Sequence, residues 1–118
     1  MKSGERRSAP RVAVLVSVQQ HVEGETHHCT ASSLSLSGLY MERPIDSFVR
    51  HSAEIELEIP LPDGQAALRT RAEIVYDCFR AHLHGTAVRF KDLTARDRAR
   101  LSAFLHPRSN AEHAALSQ

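Results

Sequence analysis

Ala53-Glu54-Ile55-Glu56-Leu57-Glu58-Ile59 decides the fold class. Ala53, Ile55, Leu57 and Ile59 fall on one face at period two, and Glu54, Glu56 and Glu58 fall on the other. Helical spacing would scatter both sets around an axis, so the stretch predicts a half-buried strand with a solvated acidic face. Pro60 and Pro62 stop it, and Asp63-Gly64 supplies a turn. In the next run, Ala66 to Phe79, the residues Thr70, Ala72, Ile74, Tyr76 and Cys78 alternate with Arg69, Arg71, Glu73, Val75 and Asp77. Glutamates on one strand beside arginines on the next predict cross-strand charge pairs outside the sheet.

The same period runs upstream. Val12, Val14, Val16 and Val18 alternate with Ala13, Leu15, Ser17 and Gln19. β-branched residues at period two predict a strand, and its apolar start on both faces predicts a first half covered on both sides. Glu23-Gly24-Glu25 signals a hairpin turn, and Thr26 to Ser32 the returning strand. Leu39 to Glu42 reads as a short third strand ended by Pro44, and Ile45 to Ser52 as a connection. Downstream, His82 to Phe90 is the last strand, with Gly85 predicting a bulge or a sharp bend. The period then changes. Thr94 is placed to cap a helix with Asp97 at its third position. Leu93, Leu101, Phe104 and Leu105 form its apolar stripe, Arg96, Arg98 and Arg100 face water, and Pro107 ends it. Six short sequential strands and one terminal helix predict an all-β antiparallel barrel or compact sandwich, closed at one end by the helix.

Length and composition bound the function. One hundred and eighteen residues make one domain that needs no disulfide or metal to hold a core. The net charge of +1 does not signal a nucleic-acid surface, although four cations and one acid fall in the first eleven residues. Few aromatics argue further against base stacking, so no DNA or RNA partner is expected. Cys29 and Cys78 read as reduced thiols. No run reaches membrane-spanning length and no apolar leader follows the N-terminus, which predicts a soluble, cytoplasmic protein with no direct membrane insertion. The eight histidines supply no ligand set of recognised spacing, so no metal is expected. No nucleophile, base and acid fall into a motif, so an enzyme is not expected.

Two short stretches carry a binding reading. Arg7-Ser8-Ala9-Pro10-Arg11 is an arginine pair just before the first strand, with Arg6 adjoining it. Ser33-Leu34-Ser35-Leu36-Ser37-Gly38 places three hydroxyls at every second position and closes on a glycine, which can turn the chain or let a ligand approach the backbone. An Arg-x-x-x-Arg before the first strand and an Asp/Asn-x-Ser-x-x-Gly loop after the second together resemble the PilZ domain family. Gly85 to Phe90 followed by Asp92-Leu93 is similar to that family's final strand. The resemblance covers Glu5 to Leu105. It implies a six-stranded, split β-barrel with a C-terminal helix at 12–105, a flexible basic arm at 1–11 and a polar tail at 106–118. It also implies a bacterial second-messenger receptor that binds cyclic di-GMP, needs no cofactor and relays the signal to a protein effector or motility component, as a monomer or a homodimer. By carry-over Arg7 and Arg11, with Arg6 beside them, grip the ligand, and Ser33, Ser35 and Gly38 shape the loop side.

Position 33 departs from the family pattern, which has Asp or Asn there. A carboxylate or amide pairs with a guanine edge through two bonds, whereas the Ser33 hydroxyl gives one directed bond. Losing one polar contact costs about 1–3 kcal/mol, a roughly tenfold to hundredfold loss of affinity. The alternative is therefore a degenerate PilZ-like module that docks to a protein in motility, pilus or polarity control without nucleotide. Ser35 reads equally as a turn residue; Arg89, in the last strand, is placed to border the pocket but reads more simply as an ordinary surface arginine.

Overall fold

A computed structural model describes residues 11–116, with side chains for 11–106. Six strands are followed by one helix: β1 (Val12–Val22), β2 (Glu25–Leu34), β3 (Gly38–Pro44), β4 (Glu54–Ile59), β5 (Leu68–Arg80), β6 (Leu83–Phe90) and α1 (Ala95–Leu116). The strands close into an antiparallel barrel in the order β1-β2-β3-β6-β5-β4, with β4 returning to β1. This is the expected six-stranded barrel with a C-terminal helix.

Alternation fills the interior. Ile55, Leu57 and Ile59 of β4 are buried, as are Leu34, Leu39, Met41 and Leu68 from the strands around it. Each such side chain contributes about 1.5–3 kcal/mol of apolar burial. The glutamates of β4 point outward, and two of them meet the arginines of β5, as the alternation implies, while Glu58 meets His21 of β1 at 2.7 Å. The pairs run diagonally, Arg69 to Glu56 at 3.4 Å and Arg71 to Glu54 at 3.5 Å, although Glu56 lies opposite Arg71 in the ladder. Long side chains reach the diagonal neighbour.

The β1–β2 turn takes the left-handed conformation at both Glu23 (φ 51°) and Gly24 (φ 82°), the backbone of a tight hairpin. Glu23 is no glycine, but its carboxylate accepts the N–H groups of His51 and Ser52, each at 2.7 Å, and so ties the β3–β4 connection to the turn.

Four local expectations are corrected. The first half of β1 is not covered on both faces: Leu15 is 84% exposed, and the ladder to β4 spans only Gln19 to His21. Pro60 and Pro62, which follow β4, have no N–H to extend that ladder. Gly85 forms no bulge. It pairs regularly with Glu42 and Cys78, and a Cβ there would meet the Tyr40 hydroxyl at 1.9 Å. The irregularity lies in β5 instead, between Ile74 and Tyr76. Arg100 does not face water. It binds Asp63 at 2.8 Å, Asp97 at 3.2 Å and the Ala66 carbonyl at 2.7 Å, clamping α1 to the β4–β5 turn. Finally, α1 does not end at Pro107 but runs to Leu116. Its start is as expected: the Asp97 N–H donates to the Thr94 hydroxyl at 3.0 Å. Leu101 and Leu105 are buried, and the helix packs against β1.

Candidate functional site

Antiparallel order brings the start of β1, the β2–β3 turn, the β4–β5 turn and the end of β6 to the same end of the barrel. The serine turn sits there. The Ser35 N–H donates to the Gly38 carbonyl at 2.9 Å and closes it. The buried Ser35 hydroxyl accepts the N–H groups of Ser37 (3.1 Å) and Gly38 (3.2 Å) and lies 3.0 Å from the Ser37 hydroxyl. One side chain thus satisfies the donors that a tight turn leaves open. The turn is fixed to the last strand as well, since the Phe90 N–H donates to the Ser37 carbonyl at 2.9 Å.

Gly38 is needed for closeness and not for turning. Positive φ among the described glycines occurs at Gly24 and Gly64. A Cβ at Gly38 would lie 2.0 Å from the Val88 carbonyl oxygen and 3.2 Å from the Arg89 Cα, so β3 enters the barrel pressed against β6.

Ser33 belongs to β2 and not to the loop. The ladder shifts between Ala31 and Ser33 on the β3 side, and between Ala13 and Val16 on the β1 side. Ala31 and Leu34 are both buried, three positions apart, which strict alternation forbids. The extra residue leaves Ser33 half-buried in a row with Ala13 and Tyr40, on the face opposite the core pair Leu34 and Leu39. Val12 pairs with Leu34, so the exposed Arg11 emerges at the level of the serine turn. The structure therefore brings Arg11, Ser33, Ser35 and Gly38 to one end. Arg6 and Arg7 lie outside the described residues.

Sequence reasoning named Arg89 of β6 as a surface arginine that could border the pocket, but missed that its strand partners are Gly38 and Glu73. Gly38 pairs with Arg89, and Arg89 with Glu73, whose carboxylate accepts from the guanidinium at 2.8 Å. That hydrogen bond, and then the arginine's charge, hold the Glu73 carboxyl below the usual carboxylate range. Register is what joins these residues, and no local motif signals it. Among the described residues no group of three or more His, Cys, Asp or Glu side chains converges to hold a metal ion, and no helix is long and apolar enough to cross a membrane.

The family model for the PilZ domain matches residues 5–106. The chain belongs to the PilZ domain family. Solved structures agree on the fold. The PilZ domain of YcgR from Escherichia coli, determined with c-di-GMP, is similar at 13% identity and a TM-score of 0.72, over 96% of this chain and 98% of that one. The Bacillus subtilis inhibitor of motility MotI/DgrA is similar at 18% identity and a TM-score of 0.73, over 89% of this chain and 52% of that one. The MrkH–c-di-GMP complex of K. pneumonia is similar at 14% identity and a TM-score of 0.69, over 96% and 56%. The chain thus spans about half the length of MotI and MrkH. No curated protein matches it in sequence.

Proposed function

We propose that this chain is a non-catalytic receptor for cyclic di-GMP, binding it between the arginine arm and the serine turn and passing the signal to a protein partner. The observation that carries this reading is the convergence of Arg11, Ser33 and the Ser35–Gly38 turn at one end of a PilZ barrel. The ligand carries two phosphodiester charges and two guanines. An arginine fork matches phosphate oxygens or the guanine O6/N7 edge, and its plane stacks on a base. Relatives of the same fold, YcgR and MrkH, are described with c-di-GMP bound, and MotI is described as an inhibitor of motility. The division of labour follows from the turn. Ser35 spends its hydroxyl on the backbone and shapes the floor, which leaves the contacts to Arg7, Arg11 and Ser33, with Arg6 beside them.

Calorimetry of the purified chain with cyclic di-GMP, with GTP as control, tests this. Saturable and selective binding is expected, and Arg7→Ala or Arg11→Ala should weaken it by about tenfold or more with the fold intact. Unchanged affinity in both variants would remove the site.

One observation favours a second reading, in which the domain docks to its partner without nucleotide. Ser33 offers a single hydroxyl where the family pattern has a carboxylate or amide. On that reading the wild type shows no heat and no shift in melting temperature. Ser33→Asp or Ser33→Asn would then gain binding, which identifies an eroded site.

A further inference from the structure

Arg89 is the barrel's own cation beside the serine turn. Its strand partner on one side is Gly38, and on the other Glu73. All three lie on the outer face, because their neighbours Leu39, Val88 and Ala72 are buried. The Arg89 side chain is 63% exposed, and its guanidinium is bound through Nη2 to Glu73 at 2.8 Å. Position 38 contributes no side chain, and its backbone is pressed onto β6, so β3 raises no wall between Arg89 and the turn.

We infer that Arg89 is a further ligand-positioning residue, held by Glu73 in the free protein and transferred to a phosphodiester or guanine edge of cyclic di-GMP when the ligand sits at the serine turn. The inference rests on the receptor reading given above and adds to it a contact from the last strand. An exposed ion pair is marginal in water and is screened by salt, so exchanging one anion for another is cheap. The fork is planar and always charged, and only one of its bonds is engaged with Glu73. Arg69 is the useful contrast. It too is an exposed arginine in an outer ion pair, with Glu56, but its neighbours lie on β4 and not at the turn.

The test is calorimetry with cyclic di-GMP at low and high salt on the wild type and on Arg89→Ala, Arg89→Lys, Glu73→Gln and Arg69→Ala. Arg89→Ala should weaken binding by about tenfold to a hundredfold and flatten the salt dependence, with the melting temperature held. Arg89→Lys should recover part of the loss, since it restores charge without the fork. Glu73→Gln should tighten binding by about twofold to fivefold by releasing the guanidinium, and Arg69→Ala should bind as the wild type does. A wild type that binds, with Arg89→Ala equal to it or Glu73→Gln weaker, overturns the role of Arg89 and leaves the receptor reading standing. A wild type that does not bind overturns both.

Discussion

The two ends of the barrel solve the same problem in opposite ways. At the serine turn itself the polar groups are short and serve the backbone: Ser35 holds two N–H groups and Gly38 lets β3 lie against β6. At the other end they are long and serve one another. Arg43 is buried and bound to Asp46 at 2.7 Å, while Asp77 accepts from Arg50, His84 and Thr86. Their apolar neighbours Ile45, Val49 and Phe79 stay exposed. Short groups leave an outer surface unspent, whereas long ones consume their own hydrogen-bonding capacity. An arginine held beside the turn by one exposed ion pair, as Arg89 is by Glu73, is easily handed to an anionic ligand, whereas a buried arginine such as Arg43, already matched to its own carboxylate, is not.

The contrast can be broken at four places. The largest effect is expected at Gly38. Gly38→Ala sets a methyl group against the backbone of β6, which cannot swing aside, and should cost about 3 kcal/mol in urea unfolding. Gly85→Ala should cost less, about 1–2 kcal/mol, because its clash is with the end of the Tyr40 side chain. Tyr40→Phe in the same background removes the clashing oxygen and should return part of that loss, whereas it should do nothing for Gly38→Ala. Ser35→Ala should cost about 1 kcal/mol by stranding two turn donors, and it should lower ligand affinity through the shape of the turn.

The smallest effect belongs to the far end and appears only in acid. Burial pushes the Asp77 carboxyl up, but hydrogen bonds from His84, Thr86 and Arg50, with the charge of Arg50, outweigh it and hold the group below the usual carboxylate range. A depressed carboxyl contributes stability that is present above its unfolded pKa and lost as pH falls through the folded one. Unfolding followed downward from about pH 4 should therefore show a stability loss that Asp77→Asn reduces. An identical acid profile in the variant would mean that the far end of the barrel is held by other contacts.

The strands were legible because alternation is a local signal. Ala53 to Ile59 announces β4, and the acidic face with its arginine partners follows from period two alone. The turn at Glu23-Gly24 and the cap at Thr94 are equally local. What stayed hidden is whatever depends on a single extra residue or on a neighbour distant in sequence. The shift between Ala31 and Ser33 reassigns a face, and no composition marks it. Gly38 and Gly85 look like turn and bulge glycines until β6 and Tyr40 are seen beside them. Arg100 reads as solvent-facing because helix spacing cannot know that the β4–β5 turn lies against it. For the site, the serine turn was visible as a motif and Arg89 as a residue of the last strand, while Glu73 and the row it forms with Arg89 and Gly38 required the register.

The bond from Phe90 to Ser37 has a mechanical consequence. Phe90 ends β6, Lys91 donates to the Arg71 carbonyl, and Thr94 caps α1 three residues later. One hydrogen bond and the three residues 91–93 therefore join the turn to the cap of the helix. Arg100 fastens the same helix to the β4–β5 turn at its other flank. A serine turn that changes shape pulls first on its bond to Phe90, at the end of the strand that leads into the helix. A four-residue turn thus has a short path, like the short arm of a lever, to the root of a helix of 22 residues.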